Sequence, residues 1–471
     1  MLLLPTVIAT LSFAGADDVV AQCYSYLESH EVSGVSAHPF SLGKPFHFYR
    51  PSLTKYGPEQ WLWDSAAHMT AWSHRNVTNA LLDMRTMLSM QRADGRVPEQ
   101  LYWADGDTSS ALQYSEPCCA DLTQMPVLPF ALRAILNASA PGDVPALARE
   151  LVPPLVAYFR WWRDTREVDK DGLVAILHGW ESGLDASPAY DEAYGLPRTK
   201  LLNSSLAVLE LYPKFDELPV AYKARYAWNQ SAILQRKQKP PGPAELLLDS
   251  WFIVKDVGVN SVLAAGWGVL ADLAERGGLS PSVAAEARSE QARVGASIVR
   301  KMWDAGRGHF VTLYRDAAGA ERAAEAETVQ SLFPLLLPAL PPSITAAVLA
   351  SLKNTSKFWL PFPLPSAAAD AAAFNPVFTK NIDLMWRGPT WAYPNWIVME
   401  GLWQRQQAGT CGDVDCAALG DEMLDRWLAL YEQNGVWEMY NPVSGAGYGE
   451  EGLGMSTLIV DWLVRMGRVS V

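Results

Sequence analysis

The amino-acid sequence predicts an all-α protein whose helices form a closed toroid. Three observations lead to this prediction. Apolar residues recur at helical spacing along the whole chain, strand-like alternation is scarce, and loops rich in Trp, Gly and Pro separate the helical stretches. Because these loops alternate with helices of ordinary length, a curved double layer of helices would bring every second loop to one shared mouth. At most one short β-hairpin is expected.

Two consecutive helices have the clearest boundaries. The first covers residues 259–273 and ends at a pair of glycines, and the second covers 280–306 with a proline in its first turn. The best strand is His309–Tyr314, which we interpret as one arm of a hairpin. Nine more helical stretches lie near residues 65–91, 125–139, 144–165, 199–212, 327–338, 343–353, 390–406, 419–433 and 455–467.

Length and composition favour one large globular unit. The chain has 471 residues, more than an ordinary domain, but a closed repetitive fold accommodates that length. The proline-rich run Lys239–Pro243 has the character of an exposed loop and not of a linker, so we predict one domain over residues 17–471. The net charge of −13 would repel phosphate groups, which excludes nucleic acids and anionic membrane surfaces as favourable partners.

The N-terminus predicts entry into the secretory pathway. Residues 1–16 are apolar and end in the small-residue pattern Ala14-Gly15-Ala16, which is typical of a signal peptide although a basic start is missing. The stretch is shorter than the roughly 20 residues of a membrane-spanning helix, and no later segment is a better candidate, so no membrane span is expected. Five Asn-x-Ser/Thr sequons agree with a secreted or lumenal location: Asn76, Asn137, Asn203, Asn229 and Asn354.

Five cysteines fit an oxidising compartment. Cys411 and Cys416 flank a polar loop and are placed to close a small disulfide. Cys118 and Cys119 are adjacent, and either one could pair with Cys23. The odd number leaves at least one cysteine without an internal partner. No cysteine or histidine spacing predicts a metal site.

The segment His178–Pro188 is the strongest indication of chemistry. It sets Glu181 and Asp185 close to the indole of Trp180, in a stretch broken by glycine and proline. Such a segment is typical of a polar pocket. Asp185 could protonate a leaving oxygen, while Trp180 offers a flat apolar face to the carbon-bound hydrogens of a sugar ring.

Three further loops also combine tryptophan with a charged residue, and a short polar motif, Leu122–Gln124, lies between them. Each loop has a simpler explanation, in which the indole covers a helix end and the charge offsets a helix dipole or forms an ion pair. The repetition weakens that explanation, because a core does not need a charge beside each indole. The three loops are Trp61–Ser65, Trp386–Trp391 and Trp437–Pro442.

In this order and at comparable intervals, the motifs resemble those of glycoside hydrolase family 63 and its short relatives, the mannosylglycerate and glucosylglycerate hydrolases. The resemblance covers residues 45–467. It implies a six-fold α/α barrel, (α/α)6, that hydrolyses α-linked glucosides or mannosides with inversion, with Asp185 as general acid and Glu438 as general base. It also implies that substrate is bound by Tyr56, Trp63, Asp64, Gln124, Trp180, Arg387, Gly388 and Trp391.

The need for two separated carboxyl groups follows from the chemistry itself. Cleavage of an acetal needs one acid that is protonated and one carboxylate that activates water on the opposite face, about 6.5 to 9.5 Å apart in inverting enzymes. Asp185 and Glu438 are 438 − 185 = 253 positions apart in sequence, so only a closed fold can bring them together. The apolar face of Trp180 would help Asp185 to keep its proton by excluding water.

Each of the acidic residues also has a structural interpretation. Asp185 could form a helix cap or turn with Ser187 and Pro188, and Asp64 could be a helix N-cap instead of an ionised carboxylate that accepts two sugar hydroxyls. Glu181 could orient Asp185, bind a hydroxyl, or have no contact with substrate. Instead of Glu438, the pocket could be reached by Glu432, Glu450 or Glu451.

We therefore expect an inverting hydrolase of a small α-glucoside or α-mannoside that needs neither cofactor nor metal. Asp169–Gly172 has the beginning of a calcium loop without its later ligands and is expected to be a turn. The alternatives are a trehalase-like enzyme and a non-catalytic sugar-binding toroid. An isomerase would be expected to use paired histidines, which these loops lack. Gly179, Met125 and Met385 depart from the family's pattern and leave the choice of sugar open.

Overall fold

The computed structural model describes residues 14–37, 41–103, 118–120, 122–194, 252–316, 318–378 and 385–471. Helices dominate this part of the chain, so the prediction of a mainly helical protein is confirmed. The predicted helix 199–212 lies outside the described residues. The α-helices are Ala14–Ser29, Leu62–Ser73, Val77–Leu88, Leu128–Ala138, Val144–Arg166, Asp191–Tyr194, Val257–Arg276, Pro281–Met302, Pro342–Leu352, Ala392–Ala408, Cys416–Asn434 and Ile459–Arg465.

Three of the predicted helices differ in detail. The stretch 65–91 is two helices, because Asn76 starts a new one by accepting a hydrogen bond from the Thr78 backbone N–H. The stretch 327–338 is a 3-10 helix, Val329–Leu336, that contains Pro334, a residue without the N–H that an α-helix needs. The stretch 455–467 begins as the 3-10 helix Gly454–Leu458 before it continues as an α-helix.

Six buried segments contact one another in chain order, and the last also contacts the first. A second set of helices packs on the outside of this sequence: Val77–Leu88, Val144–Arg166, Pro281–Met302, Pro342–Leu352, Cys416–Asn434 and Ala14–Ser29. The inner segments are Leu62–Ser73, Leu128–Ala138, Val257–Arg276, Val329–Leu336, Ala392–Ala408 and the pair Gly454–Leu458 with Ile459–Arg465.

Strands are more numerous than the single hairpin that the sequence predicts. Their lengths of two to five residues are too short for an alternating pattern to be recognised. The predicted strand His309–Tyr314 is divided between two sheets. The antiparallel pairs are Glu31–Val35 with Pro45–Tyr49, Gln60–Trp61 with Gln100–Leu101, Trp303–Asp304 with His309–Phe310, and Trp437–Tyr440 with Gly447–Glu451; a three-stranded sheet joins Val254–Lys255, Leu313–Arg315 and Glu321–Ala323.

One apolar cluster runs through the described residues, from Ala16 in the first helix to Val469 near the C-terminus. The helix Val257–Arg276 is, within the described ranges, the one helix long and apolar enough to cross a membrane. However, 94% of its apolar window is buried inside the protein. It is therefore part of the core. Residues 1–13, which make up most of the predicted signal peptide, lie outside the described residues.

Cys411 and Cys416 form the predicted disulfide. Cys23, Cys118 and Cys119 are buried and unbonded, so the pairing of Cys23 with one of the other two is wrong. The sequon asparagines within the described residues, Asn76, Asn137 and Asn354, are exposed, and Asn203 and Asn229 lie outside them.

Candidate active site

Four of the predicted site residues lie just before or within the first turn of an inner helical segment. Trp63 and Asp64 are in the first turn of Leu62–Ser73, and Gln124 shortly precedes Leu128–Ala138. Trp391 is the N-cap residue of Ala392–Ala408. The common position explains how loops far apart in sequence can meet at one end of the inner segments.

Glu438 lies on the strand Trp437–Tyr440, where the pairing with Gly447–Glu451 shifts by one residue. Such a bulge re-aims a side chain. Its carboxylate is buried and accepts hydrogen bonds from three groups: the Tyr56 hydroxyl at 2.5 Å, the Lys55 ammonium at 3.3 and 3.2 Å, and the Glu450 backbone N–H at 3.0 Å. The neighbouring acids that could have replaced it are less enclosed: Glu432 and Glu451 are exposed, and Glu450 is half-buried.

Gly449 gives the Glu438 side chain its space. A Cβ on this glycine would lie 2.2 Å from Glu438 Oε2, and its φ of +77° is one that other residues rarely adopt. The strand opposite Glu438 therefore requires glycine for both its conformation and its lack of a side chain.

Tyr56 connects the two predicted catalytic acids. It donates to Glu438, and its pKa lies well above the ordinary value because of its burial, the negative charge and hydrogen bond of Glu438, and the negative charges of Asp185 and Asp64. The structure thus joins Tyr56 to Glu438 directly, while Asp185 and Asp64 act on Tyr56 through their charges.

Asp185 is half-buried in the loop between two 3-10 helices, Gly179–Ser182 and Pro188–Tyr190. The second of these is capped by Ser187, whose hydroxyl accepts from the Ala189 N–H, and not by Asp185. Ser187, and not Asp185, therefore acts as the helix cap.

Arg387 and Glu181 are predicted to contact substrate, but in the structure each interacts with other groups of the protein. Arg387 forms a two-pronged ion pair with Asp191 at 2.9 and 2.8 Å and donates to the Ala186 carbonyl oxygen, so it holds the loop that carries Asp185. Glu181 is buried and accepts from Arg166 at 2.6 Å with one oxygen and from the Leu177 N–H at 2.8 Å with the other. Of its three interpretations, the structure favours a structural role without substrate contact.

Asp64 does not act as a helix cap, since no side-chain hydrogen bond caps its helix. Burial and the negative charge of Glu438 raise the pKa of Asp64 to about 8. This shift favours the protonated form of Asp64 near neutral pH in the free protein, in place of the ionised carboxylate that was expected. A carboxylic acid can donate one hydrogen bond to a hydroxyl and accept another.

Stacked aromatic rings build the wall of the site. The Trp63 ring stacks on Tyr393 at 4.9 Å, and the Trp386 ring stacks on Trp391 at 3.8 Å. A Cβ on Gly183, which follows the Trp180 segment, would lie 2.6 Å from the Trp63 ring. The acid loop and the wall are thus in direct contact.

The remaining predicted residues are held by specific contacts. Trp180 is half-buried with its ring 4.6 Å from His178, whose Nδ1 accepts from the Trp180 N–H. Gln124 accepts from the Trp63 N–H at 3.1 Å, so its amide positions the start of that helix. Gly388 lies so close to the Asn375 carbonyl that a Cβ would be 2.2 Å from its oxygen.

Two polar residues at this site were missed by the sequence analysis. Lys55 contacts Glu438, and Glu99 is a buried carboxyl whose pKa is raised well above its ordinary value by burial and by the charges of Asp185, Glu181 and Asp64. Glu99 immediately precedes the short strand Gln100–Leu101, which gives no sequence signal. Lys55 stands next to Tyr56, and that adjacency was the one available sign.

Three acidic residues, Asp169, Asp171 and Glu321, lie close enough together to hold a metal ion. The ammonium group of Lys255 already contacts all three, at 2.7, 2.6 and 2.5 Å. The cluster therefore has a cation of its own, and Asp169–Gly172 is a turn as predicted.

Comparisons with known proteins agree on the kind of fold and chemistry. The family described as the mannosylglycerate hydrolase MGH1-like glycoside hydrolase domain matches residues 57–456. A mannosylglycerate hydrolase of Thermus thermophilus is 28% identical over 427 residues, which cover 87% of this chain and 94% of that protein. Mannosylglycerate hydrolase MGH1 of Selaginella moellendorffii is 27% identical over 400 residues, 83% of this chain and 77% of that protein.

The fold has a solved counterpart. The crystal structure of a GH63 mannosylglycerate hydrolase from Thermus thermophilus in complex with Tris and D-glycerate superposes with a TM-score of 0.74. The match covers 94% of this chain and 99% of that one, at 24% sequence identity. At this level of identity the likeness establishes the fold.

Proposed function

This chain belongs to the mannosylglycerate hydrolase MGH1-like family of glycoside hydrolases and is a glycosidase, and we propose that it hydrolyses an α-linked glycosylglycerate with inversion. The sugar is mannose or glucose. The names of the relatives support the glycerate aglycone.

In the proposed reaction, Asp185 donates its proton to the glycosidic oxygen as the bond to the anomeric carbon breaks. A water molecule attacks that carbon from the opposite face and gives its proton to Glu438. The products are the free sugar in the β configuration and glycerate. The enzyme returns to its starting state when Glu438 loses a proton and Asp185 gains one.

One observation carries this assignment. One short segment reaches the loops of both acids: Tyr56 donates to Glu438, and Trp63 lies against Gly183, two positions before Asp185. Two acids beside a wall of stacked indoles are what a sugar-cleaving site requires. Asp64, Trp63 and Trp180 are proposed to contact the sugar, while Arg387, Gln124 and Gly388 shape the loops around it.

We also propose that the helices form the six-fold double ring in one domain over residues 17–471. The closed sequence of contacts among the six inner segments supports this arrangement. Secretion, with residues 1–16 as signal peptide, is proposed as well. Exposed asparagines in three sequons and the Cys411–Cys416 disulfide support it. N-terminal sequencing of the mature protein tests it, and a retained Met1 would count against it.

The activity is tested with mannosylglycerate, glucosylglycerate and trehalose, each at equal concentration, by measuring the released sugar. We expect one of the glycosylglycerates to be cleaved fastest. Fastest cleavage of trehalose would instead favour a trehalase-like enzyme, and binding without cleavage would indicate a sugar-binding protein.

The roles of the two acids are tested by Asp185→Asn and Glu438→Gln. Each is expected to lower kcat by about 10²- to 10⁴-fold, as is usual when a general acid or base is lost. The matched control is Glu432→Gln, because Glu432 is exposed and lies six positions before Glu438. Retained turnover in either active-site variant on a substrate with a poor leaving group would contradict the assignment.

A further inference from the structure

The Lys55 ammonium contacts both oxygens of Glu438, at 3.3 and 3.2 Å. We propose that Lys55 is a positioning residue whose positive charge supports Glu438 as a base, and that it moves off one carboxylate oxygen so that the attacking water can bind there. This inference rests on the proposed function, since it assigns Glu438 the role of base.

The surroundings of Glu438 explain why it needs a cation. The carboxyl group is buried, and Asp64 lies close enough to interact with its charge; Asp185 acts on the same phenol, Tyr56, that donates to Glu438. The carboxylate of Glu450, whose backbone N–H donates to Glu438, accepts from the Thr54 hydroxyl. Among the described residues, Lys55 is the one basic side chain seen in contact with Glu438. Removing Lys55 would leave this buried carboxylate without its cation.

The hydrogen bonds of Glu438 are fully used in the free protein. Oε1 accepts from Tyr56 and Lys55, and Oε2 accepts from the Glu450 N–H and Lys55. A carboxylate offers about four lone-pair sites, so none is left for a water proton. One donor must therefore move before water can be activated.

Lys55 is the donor best able to move. Its contacts are longer than the about 2.7–2.9 Å of a tight charge-assisted hydrogen bond, whereas the Tyr56 contact is 2.5 Å and the Glu450 donor is fixed in a strand. Its side chain is 29% exposed, and its ammonium already lies 4.5 Å from the centre of the Tyr56 ring. A cation–π contact there would offset the loss of one carboxylate contact.

The test is the pH dependence of kcat/KM for Lys55→Met, Lys55→Arg and the control Lys44→Met, a change at an exposed lysine. For Lys55→Met we expect the acidic limb to move to higher pH by about one unit, because removing a neighbouring positive charge favours protonation. Lys55→Arg is expected to leave the limb in place but to lower kcat, since its planar fork would hold both oxygens. The control should match the wild type.

An acidic limb that does not move in folded Lys55→Met, with folding checked by thermal unfolding, would overturn the inference. Wild-type kcat in Lys55→Arg would overturn the proposed movement of Lys55 off one carboxylate oxygen, and this variant keeps the positive charge. Failure of the proposed function is a separate result, because it appears in the wild-type protein as absent hydrolysis or a retained anomeric configuration.

Discussion

Asp64 holds a proton that an exposed aspartate would lose, and this has a consequence for stability. Its pKa in the folded protein is about 8, against an ordinary value of 3.8. In the unfolded chain the group ionises freely above that lower value. Its contribution to stability is therefore complete below about pH 4 and is lost as the pH rises toward 8.

For Asp64→Asn we expect the free energy of unfolding, relative to wild type, to increase by about 4 kcal/mol between about pH 5 and about pH 8, because asparagine cannot ionise. Denaturant unfolding at several pH values measures this. Asp18→Asn, at an exposed position, serves as control and should show no such trend. A difference that stays constant with pH would show that Asp64 is ionised in the folded state.

Glu99 is a second buried acid that we expect to be neutral, because burial and neighbouring negative charges raise its pKa. A neutral Glu99 exerts no charge on Asp185. Glu99→Gln should therefore leave the basic limb of the kcat/KM profile unmoved. A shift of that limb to lower pH would mean that Glu99 is ionised and helps Asp185 to keep its proton.

Among single residues, the sequence predicts those whose chemical role is indicated by a short motif. Asp185 and Glu438 stand beside indoles in loops broken by glycine or proline; the structure bonds Glu438 to Tyr56 and packs the loop of Asp185 against Trp63. Lys55 could not be assigned, because its partner lies 383 positions away. Glu181 and Arg387 share the same motifs, yet their partners are protein groups, and only three-dimensional contacts distinguish the two cases.

Among the elements, the strand Gly447–Glu451 is under the strictest constraint. Gly449→Ala would place a methyl group 2.2 Å from Glu438 Oε2 at a φ of +77°. We expect activity to fall at least about tenfold, because displacement of a catalytic group by about 1 Å is costly. Initial rates and thermal unfolding measure the two effects.

The matched control is Gly308→Ala, where φ is +72° but no heavy atom lies within 4 Å of the added Cβ. The Gly308→Ala variant would have the backbone strain, about 1–2 kcal/mol, without a steric clash, and it should keep full activity. Equal activity losses in both variants would mean that the space next to Glu438 does not matter.

Helices could be predicted from sequence wherever one face is apolar over several turns, as in Val257–Arg276 and Val144–Arg166. The 3-10 segment Val329–Leu336 has the same periodic pattern, and only its proline indicated a different geometry. The short strands could not be predicted, because a pair such as Gln60–Trp61 is ordered by its partner across the sheet.

At the scale of the whole molecule, Glu400 links three of the inner segments. It is buried on Ala392–Ala408 and forms ion pairs with Arg133 on Leu128–Ala138 and Arg465 on Ile459–Arg465, at 2.7 and 2.8 Å. Burial alone would raise the pKa of Glu400, but the two arginines outweigh it and lower the pKa to about 2. Its contribution to stability is present above about pH 4.5 and is lost as the pH falls toward 2.

Glu400→Gln is expected to lower the free energy of unfolding by about 3 kcal/mol at neutral pH, since Arg133 loses its charge partner and Arg465 keeps only Asp461. The loss should shrink on acidification. Glu422→Gln, in an exposed pair with Arg426, should cost less than about 1 kcal/mol. Equal losses in the two variants, measured by denaturant unfolding, would contradict a linking role for Glu400.

The helical class of the molecule follows from its sequence, while the closed arrangement remains a proposal. Periodicity reveals which face of each helix is buried but not which helix it meets. The contact of Leu62–Ser73 with Gly454–Leu458, which connects the first inner segment to the last, joins residues nearly 400 positions apart. No local pattern specifies such a contact.

The central claim is that Asp185 and Glu438 act from opposite faces of one sugar. Proton NMR of the first sugar released from an α-linked glycosylglycerate tests it most directly, because the anomeric signals distinguish the product before mutarotation. We expect the β anomer to appear first. Initial release of the α anomer would mean that the configuration is retained, and would contradict the assignment of Glu438 as the base that activates water.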